Sequence, residues 1–178
     1  EFIYNHYPDE TRWQLLDNPI SKKEFEQLAF LKPAFFRYGL KIMSHEKWII
    51  NTDNKITIKI YAPKNILIAT TMLKKERELE ESFIFALRSS NEIFINAVFP
   101  KKSKYILRIF AKEKKETGKY HWVLDYQVEA SKGTKGKIGF PQKYSKYEES
   151  GTYLYKPLNK YLKSGKERYF KLHVPDAE

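Results

Sequence analysis

The chain between Lys104 and Ala130 repeats with a period of two. Tyr105, Leu107 and Ile109 alternate with Ile106, Arg108 and Phe110. A charged run carrying Thr117 and Gly118 follows, and the alternation then resumes at Trp122, Leu124, Tyr126 and Val128. Side chains of a strand point alternately to its two faces, so this pattern around a polar, glycine-bearing turn predicts a long antiparallel hairpin.

Upstream the spacing is also strand-like. Trp48-Ile49-Ile50 precedes the turn Asp53-Asn54, and Ile56, Ile58 and Ile60 then alternate with Lys55, Thr57 and Lys59 until Pro63. Ile66 to Leu73 is a near-continuous apolar strand. Phe83, Phe85 and Leu87 form the next row, and Ser90-Asn91 turns into Ile93, Ile95 and Ala97. Between them Lys74 to Glu81 (KKERELEE) reads as a charged surface connection or a short helix. About seven short strands at this spacing predict a sandwich or barrel. The pair Tyr105-x-Leu107 has the spacing of the tyrosine corner of immunoglobulin-type sandwiches, with Leu where the second disulfide cysteine would stand. The fold class expected is therefore all-β: an immunoglobulin-like antiparallel sandwich without a disulfide, resting on packing alone.

The flanks differ. Ser21-Lys22-Lys23-Glu24 has capping-box spacing, and Phe25 and Leu28 share one face of a short helix beginning there. Gly133, Gly136 and Gly139 recur among Lys, Thr and Ser and predict a flexible linker. Beyond them Tyr153 to Val174 reads as the opening strands of a further β domain. The division expected is a helical connector over 1–35, the sandwich over 36–131, and a linker with part of a second immunoglobulin-like domain over 132–178.

Composition narrows the chemistry. The 178 residues contain no cysteine, which removes disulfides, thiolate metal sites and a thiol nucleophile and favours a reducing, intracellular setting. No stretch approaches the roughly 20 apolar residues needed to span a bilayer. The start Glu1-Phe2-Ile3-Tyr4 reads as mid-chain, so a piece of a longer protein is expected. The formal charge is +11, with 22 basic and 17 acidic residues in the first 130 and 11 and 5 in the last 48. Such an excess points to an acidic partner or a polyanion. His6, His45, His121 and His173 are scattered, no G-x-S-x-G elbow is present, and no paired ligand spacing suggests a metal. No catalytic residue, metal or cofactor is expected. The one constellation with binding capacity interleaves tyrosines and lysines near the C-terminus: Tyr144, Lys146, Tyr147, Tyr153, Tyr155, Lys160 and Lys163. It suits stacking and phosphate neutralisation of single-stranded nucleic acid, or half-buried strand tyrosines beside solvated lysines.

Several blocks carry a family resemblance. Phe2-Ile3-Tyr4-Asn5-His6-Tyr7-Pro8-Asp9, Trp13-Gln14-Leu15-Leu16, Pro19-Ile20, Glu24-Phe25 and Leu31-Lys32-Pro33-Ala34-Phe35-Phe36 resemble the segment after the transglutaminase-like domain in the kyphoscoliosis peptidase and hillarin family. Leu154 to Pro175 resembles the start of a later immunoglobulin-like repeat of that family. The resemblance implies an intracellular, cytoskeleton-associated protein whose Cys-His-Asp catalytic domain lies upstream of Glu1; no position here matches that site. Three functions are then expected in turn. The first is a non-catalytic interaction or scaffolding module with protein partners of the cytoskeleton. The second is an accessory region of an active transglutaminase or cysteine peptidase, and the third a basic binder of nucleic acid or anionic surfaces. Contact would be made by strand addition at an exposed sheet edge or through a basic face.

Overall fold

The computed structural model describes Gln14, residues 18–143, Tyr147 and residues 150–175. In chain order its strands are β1 (Phe30–Leu31), β2 (Lys41–Ile42), β3 (Ile49–Thr52), β4 (Lys55–Tyr61), β5 (Ile66–Lys74) and β6 (Arg77–Glu78). They continue as β7 (Ile84–Ser89), β8 (Glu92–Val98), β9 (Ser103–Glu113), β10 (His121–Ala130), β11 (Tyr153–Lys156) and β12 (Lys171–His173). One sheet has the order β2-β4-β8-β7. The other runs β10-β9-β5-β6, with β1 and β3 both on the far side of β10. β3 lies parallel to β10; every other pairing is antiparallel. This is the ABED-facing-GFC order of an immunoglobulin-like sandwich, as the strand count and spacing predict.

Period-two alternation makes each sheet apolar on one face, and the two faces meet in one core. Ile58, Ile60, Ile95 and Ala97 come from one sheet, and Tyr105, Leu107, Ile109, Tyr126 and Val128 from the other. Leu107 has no exposed surface. The tyrosine corner is present in full. The Tyr105 hydroxyl donates to the Lys101 carbonyl at 2.7 Å and accepts from the Lys101 amide at 3.2 Å.

Three rows depart from the pattern. On β10 a register shift between Trp122 and Leu124 turns Val123 inward beside Leu124 and leaves Trp122 on the surface. On β7 the core takes Ile84 and Ala86, while Phe85 is buried on the outer face against Phe140, 5.8 Å between ring centroids. Residues 83–87 are apolar in both phases, so their period could not select a face. Lys74 to Glu81 is not a helix. Lys74 pairs with Arg77 across the two-residue turn Lys75-Glu76, and both turn residues have positive φ (48° and 62°). That is a hairpin turn matched to strand twist; cross-strand pairing overrides the helix-forming composition. A single 3₁₀ turn follows at Glu81–Phe83.

The free edge of β10 is used within the chain. Phe30 and Leu31 pair with Asp125 and Leu124, and Ile49 to Thr52 pair with Gln127 to Ala130. Lys32 N donates to Val123 O at 3.0 Å, and Gln127 N donates to Trp48 O at 2.8 Å. Strand addition by a partner is therefore blocked at this edge. The capping box upstream is closed: Ser21 Oγ accepts from Glu24 N at 3.2 Å, and Glu24 Oε2 accepts from Ser21 N at 2.8 Å. The helix it starts, Lys22–Phe25, is a single turn.

The stretch after β10 is tied down instead of flexible. Lys132 N donates to Asp53 O at 2.8 Å, Thr134 N to Phe99 O at 2.9 Å and Phe140 N to Ser82 O at 2.6 Å. The hydrogens on the α-carbons of Gly133 and Gly139 are what permit this approach. A Cβ on Gly133 would lie 2.6 Å from the Pro100 carbonyl oxygen, and one on Gly139 3.1 Å from Ser82. The hairpin loop is anchored too. Glu116 accepts from the Glu113 amide at 3.2 Å and from the Tyr38 hydroxyl at 3.0 Å, and its other oxygen lies 3.3 Å from His121 Nε2. The Glu113 amide, then Tyr38 and His121, hold this carboxyl below the usual carboxylate range.

Three outcomes follow from these contacts. Tyr105→Phe should lower stability in urea melts by about 1–3 kcal/mol at unchanged slope, because the Lys101 amide and carbonyl lose their partner; equal midpoints would refute the corner's role. Gly133→Ala should cost about 1–3 kcal/mol through overpacking, whereas Gly118→Ala, where a Cβ would meet nothing within 4 Å, should stay within about 0.5 kcal/mol. Because the Glu116 pKa is lowered in the folded chain, its contribution is present at neutral pH and disappears as pH falls through its lowered folded value. The melting-temperature gap between wild type and Glu116→Gln should accordingly shrink on acidification, and a gap constant from about pH 7 to about pH 3 would exclude the contact.

Candidate interaction site

The tyrosines and lysines singled out by sequence do not line up as one stripe. Tyr144 and Lys146 lie outside the described residues. The Tyr147 ring packs edge-on against Phe85 at 6.3 Å, and its hydroxyl accepts from the Leu154 amide. Tyr147 and Tyr153 together close a cavity of about 20 Å³ over Leu67 and Ala86. Tyr153 stacks on His173 with ring centroids 5.8 Å apart and planes at 10°. The Lys171 ammonium covers Tyr155 at 5.5 Å. Lys160 pairs with Glu80 at 3.7 Å, and its amide donates to Gly139 O at 2.8 Å. The Lys163 carbonyl accepts from Arg168 Nη2 at 3.5 Å. The half-buried tyrosines thus fasten the C-terminal ladder β11–β12 to the sandwich, and register joins Tyr153 to His173 and Leu154 to Leu172.

Groups able to do covalent chemistry are engaged in structure. His45 Nδ1 lies 2.8 Å from Ser44 Oγ, but that oxygen accepts from the Lys59 amide at 2.8 Å, and no carboxylate among the described residues orients the ring. Burial lowers the His45 pKa. His121 faces Glu116, and His173 faces Tyr153. His6 lies outside the described residues. No group of three or more metal-ligating side chains occurs among the described residues, and no helix among them is long and apolar enough to cross a membrane. On the outer face of the β10 sheet, Arg108 binds Asp125 through two nitrogens at 2.9–3.2 Å, and Trp122 Nε1 donates to Asp125 at 2.8 Å. The Asp125 hydrogen bond holds the Arg108 pKa up against desolvation. Lys32 and Arg108 lie over the Trp122 ring at 4.0 and 4.1 Å. These charges satisfy one another.

A different cluster forms at one end of the sandwich. The β4–β5 connection brings Lys64, the β7–β8 turn brings Ser90, and the start of the β9–β10 loop brings Lys114. Two backbone bonds hold the three together: Lys114 N to Asn65 O and Ala62 N to Asn91 O, both 2.8 Å. Arg88 binds the same loops, donating through Nη1 to the carbonyls of Ala62 (3.0 Å) and Ser90 (3.3 Å) and through Nη2 to Ile66. Tyr155 and His173 form the opposite wall of an open cleft of about 390 Å³. Among the described residues, its lining includes no carboxylate. Reading the sequence missed Lys64, Arg88, Ser90 and Lys114, which are 24 or more positions apart in pairs such as Lys64 and Arg88, or Arg88 and Lys114. Only the alternation of strand ends in a known topology could have grouped them.

Comparison with known proteins agrees with this architecture. The sequence model of the KY-like, immunoglobulin-like domain matches residues 22–142. Hillarin of Drosophila melanogaster is 58% identical over 40 residues, which is 22% of this chain and 5% of hillarin. The Lim and transglutaminase domain protein ltd-1 of Caenorhabditis elegans is 35% identical over 65 residues, 36% of this chain and 8% of that protein. Kyphoscoliosis peptidase of Mus musculus is 31% identical over 131 residues, 73% of this chain and 19% of the peptidase. The chain therefore spans less than a fifth of the length of these relatives. With the model covering the sandwich from the capped helical turn to the segment beyond β10, the chain belongs to the KY-like, immunoglobulin-like domain family.

Proposed function

We propose that this chain is a non-catalytic interaction module of an intracellular, cytoskeleton-associated protein, serving to place that protein on its partners. The observation that carries the reading is the way the sandwich spends its chemistry. His45, His121 and His173 are each engaged in a contact within the fold, and the strand edge at β10 is filled from within. The cationic loop end is open to a partner. A chain with no cysteine cannot supply the thiolate that a cysteine peptidase or transglutaminase requires. Catalysis by the parent protein is assigned to a domain beyond this chain.

Two measurements test the reading. Purified chain incubated with a casein substrate and a primary amine should give neither hydrolysis nor amine incorporation, and measurable turnover would overturn the non-catalytic role. Expressed in cells, the tagged chain should be retained in the detergent-insoluble cytoskeletal fraction. Complete recovery in the soluble fraction, alongside an unrelated immunoglobulin-like domain used as control, would reject the cytoskeletal placement.

A further inference from the structure

We infer that the cleft between the loop end of the sandwich and the β11–β12 ladder is a binding site for an acidic peptide segment of a protein partner, with Lys64 and Lys114 as the groups that take its carboxylates. The inference rests on the interaction-module reading and names the chemistry of the partner.

Charge is the first argument. Lys64 and Lys114 converge from two separate connections beside Arg88 near the end of β7, and His173 closes the other side. Neither Lys64 nor Lys114 has an ion-pair partner among the described residues, whereas Lys104, Arg108, Lys132 and Lys160 each have one. A pair of ammonium groups with no ion-pair partner among the described residues, over low-dielectric walls, focuses an anion-attracting field into the cleft. Preorganisation is the second argument. The guanidinium of Arg88 bridges the carbonyls of Ala62 and Ser90, and the Lys114 amide is bound to Asn65, so the loops bearing the lysines need not be ordered on binding. On the ladder side, Gly151 lets Pro175 approach; a Cβ there would lie 2.9 Å from its ring. The volume, about 390 Å³, falls within the roughly 300–1,000 Å³ of ligand clefts.

The rings decide between a peptide and nucleic acid. Binding of single strands depends on aromatic faces open to the bases. Here one face of Tyr153 is stacked on His173, and the Lys171 ammonium lies over one face of Tyr155. What the cleft offers first is point charge and hydrogen-bond donors, which matches carboxylate side chains on an extended segment.

The test uses the whole chain and a fluorescein-labelled hexaglutamate peptide, read by anisotropy at about 50 mM salt, where exposed charges are weakly screened. Hexaglutamate should bind and hexaglutamine should not. Lys64→Glu/Lys114→Glu should weaken binding by about tenfold or more. Lys101→Glu/Lys102→Glu makes the same change in net charge in the β8–β9 connection, at the other end of β9, and should alter binding by less than about twofold. If the reversed pair fails to fold by circular dichroism, Lys64→Gln/Lys114→Gln should still weaken binding by more than about threefold. Equal losses in the two charge-reversed pairs would mean diffuse attraction and overturn the site. Absence of hexaglutamate binding would overturn it too. So would an oligothymidine probe that binds as tightly as hexaglutamate and is lost in the same variant. A chain retained in the cytoskeletal fraction that ignores hexaglutamate sinks this inference and leaves the module reading intact. A chain that binds hexaglutamate but stays soluble does the reverse.

Discussion

No covalent bridge joins the two sheets, so their attachment depends on apolar side chains that have left water. Leu107 stands where a disulfide cysteine would be in the immunoglobulin pattern, and it is fully buried with Ile58, Ile60, Ile95 and Tyr126. A fully buried aliphatic side chain contributes about 1.5–3 kcal/mol, so several together reach the stabilisation usually credited to one disulfide, about 2–4 kcal/mol. The consequence is that alternation has to be kept along every long strand. The one place where β10 breaks it, between Trp122 and Leu124, is accommodated by a bulge that keeps Leu124, Tyr126 and Val128 inward.

The same constraint explains how the ends of the sandwich are finished. A sheet without a closing bridge gains from having its edges occupied, since unpaired amides and carbonyls invite foreign strands. β1 and β3 share the outer edge of β10. The segment after β10 returns along the Asp53, Phe99 and Ser82 carbonyls, and Phe140 covers Phe85. With these edges filled, the loops are where side chains can converge without disturbing the ladder.

Charge alone would have been a poor guide to that surface. The lysine excess is distributed over the whole chain, and many lysines lie over aromatic rings or beside carboxylates: Lys32 over Trp122, Lys143 over Phe85, Lys104 beside Glu129. Exposed pairs of this kind contribute little each, and they neutralise the field locally. Among the described residues, Lys64 and Lys114 are cations without an ion-pair partner brought together from separate loops, and their geometry gives the loop end its sign.

The residues alone determined the long strands, the sandwich class, the tyrosine corner at Tyr105, the capping box at Ser21 and the lack of a thiol, because each of these is a matter of local spacing or composition. Tertiary structure decided the rest. It chose the buried face of residues 83–87, where both phases are apolar, and it folded Lys75-Glu76 into a hairpin turn in place of a helix. It also turned a glycine-marked stretch expected to be a linker into a strap fitted against Pro100 and Ser82. The grouping of Lys64, Arg88 and Lys114 arises only when antiparallel strands return their connections to the same end. Periodicity records which way a side chain points along its own strand; which distant residues it meets is set by the order in which the strands pair.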